Sequence, residues 1–236
     1  MKVTVAATQM ACGWDREANR YDAHPIVRGV VWQQTSGMDQ QAVYAALEAH
    51  LGRMATPDSR SVESLRELTP AIERYHTLLG LGRYDDAYGL FRDRLEDATL
   101  YRLAAHRERI AWLERLFPDG LDGLPALTDE DSQASTLNSL AGSYLLSGEP
   151  GQASVVLKRA IQIVRQQGDN GNQLVGLSNL GEILREIGAL CEAERILRQA
   201  LVLARELENT FREAVSLQDF GRTHSTCSSS RLSTSS

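Results

Sequence analysis

The stretch "LSNLGEILREIGALCEAERILRQALVLAR" (177–205) decides the fold of this chain. Leu177, Leu180, Gly181 and Leu184 follow the i, i+3, i+4, i+7 spacing that places side chains on one face of a helix. Gly188 ends that helix, because glycine adopts a left-handed backbone most easily. The stretch therefore predicts two helices joined by a tight turn. The apolar face of the second helix consists of Leu190, Ala193, Ile196, Leu197, Ala200, Leu201 and Ala204.

The same pattern stands 40 residues upstream, which makes it an internal repeat. Each repeat is a helical hairpin that cannot bury its apolar face alone, so neighbouring hairpins must stack. Gly181 and Ala193 are small where two helices must approach closely. Leu217, Phe220 and Gly221 begin a third copy, which then stops. The upstream set consists of Leu137, Leu140, Ala141, Tyr144, Gly148, Ala153, Leu157 and Ala160.

A partial copy precedes the two full repeats, in "AIERYHTLLGLGRYDDAYGLF" (71–91). Tyr75 is too large for a position that needs a small residue, so this hairpin is expected to pack less regularly. Further helices are predicted over 39–53 and 99–116, with a Pro/Gly/Asp-rich connection over 117–133. The alternating, β-branched segment 3–9 predicts a strand for which a helical array offers no sheet.

Composition and charge restrict the class of partner. The net charge of −6 opposes binding to nucleic acid or to an anionic membrane, and no segment is long and apolar enough to span a bilayer. The three cysteines are far apart and the start of the chain lacks a signal peptide, which indicates a reducing, cytoplasmic environment. No structural zinc and no other cofactor is predicted.

The two repeats resemble tetratricopeptide repeats, in the longer variant of about 40 residues. The small and large apolar pattern and the glycine before the second helix carry this resemblance over 133–221, and partially over 68–98. It implies an all-α fold, a right-handed superhelix of helical hairpins, which binds a protein or a peptide. The identity of the partner and the oligomeric state do not follow from the resemblance.

Two narrower resemblances concern the rest of the chain. The segment "YDAHPIVRGVVW" (21–32) is similar to the end of the winged-helix part of STAND (NB-ARC-type) signalling ATPases, and residues 68–95 and 124–144 resemble their bacterial sensor arrays. This implies a sensor module of a larger bacterial regulator, although no GxxxxGK[ST] motif for an ATPase is present. Residues 3–20 resemble instead the start of a nitrilase-superfamily amidase, of the N-carbamoylputrescine amidase type. That resemblance implies an amidase-related protein as the alternative function, and no catalytic residue carries over.

No catalytic or metal-binding pattern occurs in the sequence, so no enzymatic activity is predicted. The five histidines are scattered, without HExxH spacing. His76 is expected to be exposed on the polar side of its helix, and Cys191 to be packed or half-buried beside Leu190. Asp85 and Asp86 are expected in the first turn of a helix, where acidic side chains favour the dipole.

The candidate binding residues lie on the first helix of each hairpin, the helix that would line the groove of a tetratricopeptide superhelix. Amide side chains can pair with a peptide backbone in both directions, and charged side chains provide orientation. The competing interpretation is an ordinary solvated face. Ser178, Ser135 and Gly142 are expected to share this surface. The predicted binding residues are Asn138, Ser139, Asn179, Glu182, Arg185 and Glu186.

The sequence divides into five segments on these grounds. Residues 1–22 match no helical pattern, 23–66 form a helical lead-in, and 67–132 contain degenerate repeat-like helices and an acidic loop. The repeats occupy 133–221, with the last one truncated. Residues 222–236, rich in serine and threonine, are expected to be disordered, because they lack apolar surface to bury.

Overall fold

The structure of the chain is a computed structural model that describes residues 37–54 and 57–233. The predicted strand over 3–9 and the segments that resemble a nitrilase (3–20) and a winged helix (21–32) lie outside the described residues. The chain divides into two compact units between Ala105 and His106. This division falls inside the segment 67–132, for which the sequence predicts one set of degenerate repeat-like helices and an acidic loop.

The described residues of the first unit include three α-helices, α1 (Gly37–Leu51), α2 (Thr69–Gly80) and α3 (Tyr84–Leu90). Helix α1 packs on α2, with Glu48 accepting from the Arg74 guanidinium at 2.9 Å. Gly80 permits the close contact, since a Cβ atom there would lie 2.3 Å from the Tyr44 ring. Asp85 and Asp86 occupy the first turn of α3, as expected.

Helices α2 and α3 form the hairpin predicted over 71–91. Gly82 has a φ of 72° at the turn, and Phe91 is fully buried at the end of the hairpin. The expected irregularity is also present. Tyr75 is fully buried with its ring 6.2 Å from that of Phe91, and the backbone becomes π-helical from Phe91 to Glu96. A second π-helical segment follows over Ala98–Arg102.

The prediction of a single helix over 99–116 is wrong, because a non-helical turn separates two helical segments there. Ala104 has a φ of 47°, a left-handed conformation that no α-helix contains. The Ala105 amide donates to the Thr99 carbonyl across this turn, and the Thr99 hydroxyl donates to the Leu95 carbonyl at 2.6 Å. Helix α4 (His106–Glu114) then begins the second unit.

The second unit continues with two complete hairpins, α5 (Glu130–Leu146) with α6 (Pro150–Gln167), and α7 (Asn170–Glu186) with α8 (Leu190–Glu206). Each helix packs against the next one along the chain, and α7 also contacts both α5 and the later helix α9 (Thr210–Ser233). The fold class predicted from the sequence, an all-α array of tetratricopeptide-like hairpins, is therefore confirmed. Most of the predicted apolar positions are buried, including Leu137, Leu140, Tyr144, Leu177, Leu180, Leu184, Ala193, Leu197 and Ala200.

The ends of these helices follow from local sequence signals. Gly148 and Gly188 end the first helices of the two hairpins with φ values of 86° and 77°, as predicted. Asp129 and Asp169 begin α5 and α7 by accepting hydrogen bonds from the backbone amides of Ser132 and Asn172. The Ser132 hydroxyl and amide lower the pKa of the Asp129 carboxyl, because they stabilise its ionised form.

Helix α9 does not end where the repeat pattern ends in the sequence. Its backbone is helical through Ser233, although the composition of 222–236 predicted a disordered tail. The position that corresponds to Gly148 and Gly188 in a third hairpin is Ser228, which has no preference for the left-handed conformation that ends the other two helices. The helix therefore continues through the point at which its predecessors turn.

Candidate functional site

The first helices α5 and α7 lie next to each other and present polar side chains along their contact. The Asn179 side chain of α7 donates through Nδ2 to Oδ1 of Asn138 on α5, at 3.0 Å. Both residues are half-buried, so each amide keeps polar atoms that water or a ligand can reach. The two asparagines that the sequence placed in separate repeats thus form one polar feature.

Charged residues extend this feature along α7. Asn179, Glu182 and Glu186 are spaced by three and four residues, which puts them on one stripe of the helix. Both glutamates are exposed. Arg185 is half-buried and forms an ion pair with Glu186, at 2.7 Å between Nη2 and Oε1. A carboxylate of a ligand would have to compete with Glu186 for the arginine.

Ser139 is the sixth predicted residue, and it is half-buried on α5. Its carbonyl accepts a hydrogen bond from the Ser143 hydroxyl at 2.8 Å. Of the residues expected to share the surface, Ser135 is exposed and Gly142 is half-buried. We name the surface formed by Asn138, Ser139, Asn179, Glu182, Arg185 and Glu186 the polar row.

Ser178 does not belong to the polar row, contrary to the expectation from the sequence. Its side chain is buried and donates to the Leu174 carbonyl one turn earlier, at 3.0 Å. Each residue turns a helix by about 100°. The step from Asn179 back to Ser178 is therefore enough to carry a side chain from the half-exposed stripe into the packing of α7.

A small cavity of about 100 Å³ adjoins the polar row between α5, α6 and α7. Its polar lining residues are Ser135, Asn138 and Asn172, and its apolar walls include Leu157, Ile161 and Val164. The volume exceeds the roughly 30 Å³ that one water occupies in the liquid. A small apolar group beside an amide side chain would match this lining.

Sequence reasoning missed a buried arginine that ties α4 to the polar row. Arg109 is only 1% exposed, and its Nε donates to the Ser143 hydroxyl at 3.2 Å. Because Ser143 donates in turn to the Ser139 carbonyl, a chain of hydrogen bonds runs from α4 to a predicted binding residue. The signal was present in the sequence, since Arg109 stands on the same helical stripe as Trp112, Leu113 and Leu116.

A second contact between α4 and α5 explains why the hydroxyl of Tyr144 stays protonated. The Tyr144 hydroxyl donates to Glu114 Oε1. Burial raises the pKa of Tyr144 well above its usual value, and the hydrogen bond and the negative charge of Glu114 raise it further. Tyr144 therefore stays neutral and keeps the donor that holds the two helices together.

A larger groove of about 430 Å³ lies along α8 and was not predicted. Arg165, Arg195 and Arg198 line it, over an apolar floor that includes Val202 and Leu203. Two of the arginines already interact with neighbours. Arg195 lies 3.9 Å from Glu192, and Arg198 pairs with Glu194 at 3.0 Å while its guanidinium lies over the Phe220 ring.

The described part of the chain contains no cluster of His, Cys, Asp and Glu side chains that could hold a metal ion. Within the same residues, no helix combines the length and the apolar character needed to cross a membrane. Two single residues differ from expectation. His76 is half-buried, with its ring edge-on to Tyr75, rather than exposed, and Cys191 is exposed rather than packed.

Comparison with known protein families agrees with this geometry. The family model for the tetratricopeptide repeat matches residues 132–206. The matched segment contains all of α6, α7 and α8 and all but the first two residues of α5, and it includes the whole polar row. This segment of the chain is similar to tetratricopeptide repeats in its sequence as well as in its fold.

Proposed function

We propose that this chain is a protein-interaction module that binds a peptide or a segment of a protein along the polar row. The observation that supports this is the hydrogen bond between Asn138 and Asn179. It joins amide side chains of adjacent repeats on a half-exposed surface, where they can accept from and donate to a peptide backbone. Tetratricopeptide-like arrays present extended surfaces of this kind to their partners.

The chemistry of the polar row defines the kind of ligand. Glu182 favours a basic side chain, whereas Glu186 already pairs with Arg185. The amides of Asn138 and Asn179 favour backbone groups of an extended chain. The cavity beside Asn138 favours one small apolar side chain. We therefore expect a peptide with a basic residue and a small apolar residue, bound across α5 and α7.

The test begins with the selection of peptide ligands from a random library against the full chain. Binding of a selected peptide is then measured by fluorescence anisotropy for the wild type and for the double variant Asn138→Ala with Asn179→Ala. We expect the variant to bind at least about tenfold more weakly, as when partners at the centre of an interface are removed. Glu182→Lys is expected to weaken binding of the basic peptides in particular.

The arginine-lined groove along α8 provides the matched control. Substitutions Arg165→Ala and Arg195→Ala change exposed side chains of the same array without touching the polar row. They are expected to leave the affinity unchanged. If these two variants lose binding and the asparagine variant does not, the binding surface is the α8 groove and the proposal for the polar row is wrong.

We further propose that the module serves as the sensor array of a bacterial, cytoplasmic regulator of the STAND type. The resemblance of residues 68–95 and 124–144 to such arrays supports this context. The neighbouring DNA, translated in all frames, tests it. A P-loop ATPase frame that continues into "HPIVRGVVW" would support the sensor role, and an uninterrupted amidase frame after Arg20 would contradict it.

A further inference from the structure

One face of α9 is exposed, whereas the corresponding face of α7 is buried. In α7, Leu174, Leu177, Ser178 and Gly181 are buried, and Leu177 is only 3% exposed. The residues 40 positions later are all exposed, and Leu217 reaches 45%. Because the repeat register is the same, the difference lies in what covers the two helices. The exposed residues are Ala214, Leu217, Gln218 and Gly221.

The sequence explains why no described helix packs on the exposed face of α9. Helix α8 turns back over α7 because Gly188 adopts the left-handed conformation that ends α7. The corresponding residue in the last repeat is Ser228, and α9 runs through it to Ser233. Within the described residues, no second helix returns over α9. Among the described residues, this face of α9 therefore has no helix packed on it.

The exposed face has a specific shape. At Gly181, a Cβ atom would lie 2.4 Å from Cδ2 of Leu197, so the glycine forms a notch that the leucine of α8 fills. At Gly221, nothing lies within 4 Å of the position that a Cβ atom would occupy. Helix α9 thus has an unfilled notch of the same kind at Gly221, one helical turn after the exposed Leu217.

We propose that the occupant of this face is α9 of a second copy of the chain. In an antiparallel pair of helices, residues at equal distances from a two-fold axis face each other. An axis beside Asp219 places Leu217 of each copy at Gly221 of the other, so each leucine enters a notch and the same patch serves both subunits. The contact between Leu217 of one copy and Gly221 of the other is thus of the same kind as the contact between Leu197 and Gly181 within a single chain.

The charges on α9 are compatible with this arrangement. Asp219 is two residues from both Leu217 and Gly221, which places its side chain about 200° around the helix from Leu217. The two copies of Asp219 therefore do not meet at the axis. Ala214, on the same face as Leu217, is small enough for the two helices to approach closely. Glu213 forms an ion pair with Arg205 of α8 at 2.7 Å, so its charge has a partner within its own subunit.

The mass of the full chain in solution, measured by sedimentation velocity over a range of concentrations, tests the proposal. We expect a monomer–dimer equilibrium. Gly221→Gln fills the notch and is expected to weaken dimerisation by at least about tenfold. This variant should fold normally, because a Cβ atom at this position would have nothing within 4 Å and glutamine is a better helix former than glycine.

Leu217→Glu places a charge on the same face and is expected to give a monomer at all concentrations. Leu124→Glu is the matched control, since Leu124 is also 45% exposed but lies in the loop before α5, and it should leave the dimer intact. The asparagine variants of the polar row should also remain dimeric, which separates this proposal from the peptide-binding function. A dimer that survives both Gly221→Gln and Leu217→Glu would show that copies associate through another surface.

A wild-type chain that stays monomeric would overturn the proposal. In that case a synthetic peptide with the sequence of α8 (190–206) identifies the occupant. Binding of this peptide to the monomer, lost in Gly221→Gln, would show that the face accepts an amphipathic helix from a different protein. Its failure to bind would mean that the empty notch does not function as a docking site.

Discussion

Leu197 of α8 packs directly on Gly181 of α7, where a Cβ atom would lie only 2.4 Å from Leu197 Cδ2. The contact fixes how closely the two helices of this hairpin approach each other. Because of this contact, Gly181 cannot be replaced by a larger residue unless Leu197 also changes or moves. Alanine stands at the corresponding position of the preceding hairpin, Ala141, where it is buried.

We predict that Gly181→Ala lowers the free energy of unfolding by about 1–3 kcal/mol, the usual cost of overpacking a core. The clash with Leu197 should outweigh the gain of about 1 kcal/mol from the better helix propensity of alanine. Gly142→Ala is the control, because a Cβ atom there meets nothing within 4 Å. Urea denaturation followed by circular dichroism should show opposite signs for the two variants. Stabilisation by both would mean that the contact is not restrictive.

Leu197→Ala should cost about 2–5 kcal/mol, as large-to-small substitutions do in a packed core. The side chain is fully buried on the face of α8 that covers α7. Val202→Ala on the same helix is the comparison, because Val202 is 51% exposed and its substitution should stay within about 0.5 kcal/mol. Equal losses for the two variants would show that the buried face is wrongly assigned.

Glu208→Gly should stabilise the array by about 0.5–1 kcal/mol. Glu208 has a φ of 52°, in the left-handed region that costs a non-glycine residue about 1–2 kcal/mol. Part of this gain is offset because glycine also increases the entropy of the unfolded chain. Gly168, 40 residues earlier, has a φ of 72° at the same place in the repeat. The thermal midpoint should rise for Glu208→Gly and fall for Gly168→Ala, and a fall in both would contradict this explanation.

The raised pKa of Tyr144 predicts how the free energy of unfolding changes in alkaline solution. Its pKa in the folded state lies above the unfolded value of about 10, so folding favours the neutral phenol. The resulting stabilisation is complete below about pH 10 and is lost as the pH rises through the folded pKa. The free energy of unfolding should therefore decrease above pH 10 more steeply for the wild type than for Tyr144→Phe. Tyr101→Phe, at a residue that is 78% exposed, should follow the wild-type profile.

The periodicity of the sequence predicted the hairpins well. Leu177, Leu180 and Leu184 are buried on one face, and Gly188 has the left-handed conformation that its place in the pattern required. These features depend on contacts between residues close together in the chain, so their spacing contains the information. The break at Ala104 depends instead on hydrogen bonds around Thr99, for which the apolar pattern of 99–116 gives no sign.

The candidate site was predictable only in part, for a geometric reason. The sequence places Asn138 and Asn179 on first helices, but it does not say how those helices are rotated toward each other. The hydrogen bond between the two amides and the burial of Ser178 both depend on that rotation. Arg109 was missed because an arginine on an apolar stripe is normally exposed, whereas here Ser143 of another helix satisfies its Nε.

The extensive contacts of α4 to α9 all join helices that are neighbours or next-but-one neighbours along the chain. Folding of this unit therefore requires no closure of a long loop, and the entropy lost before the first contacts form is small. Chains with such low contact order fold on the microsecond to millisecond timescale. Either hairpin can serve as the nucleus. The main phase of refolding after dilution from denaturant should fall within the dead time of manual mixing, and only chains with a non-native isomer of a proline such as Pro150 should refold more slowly.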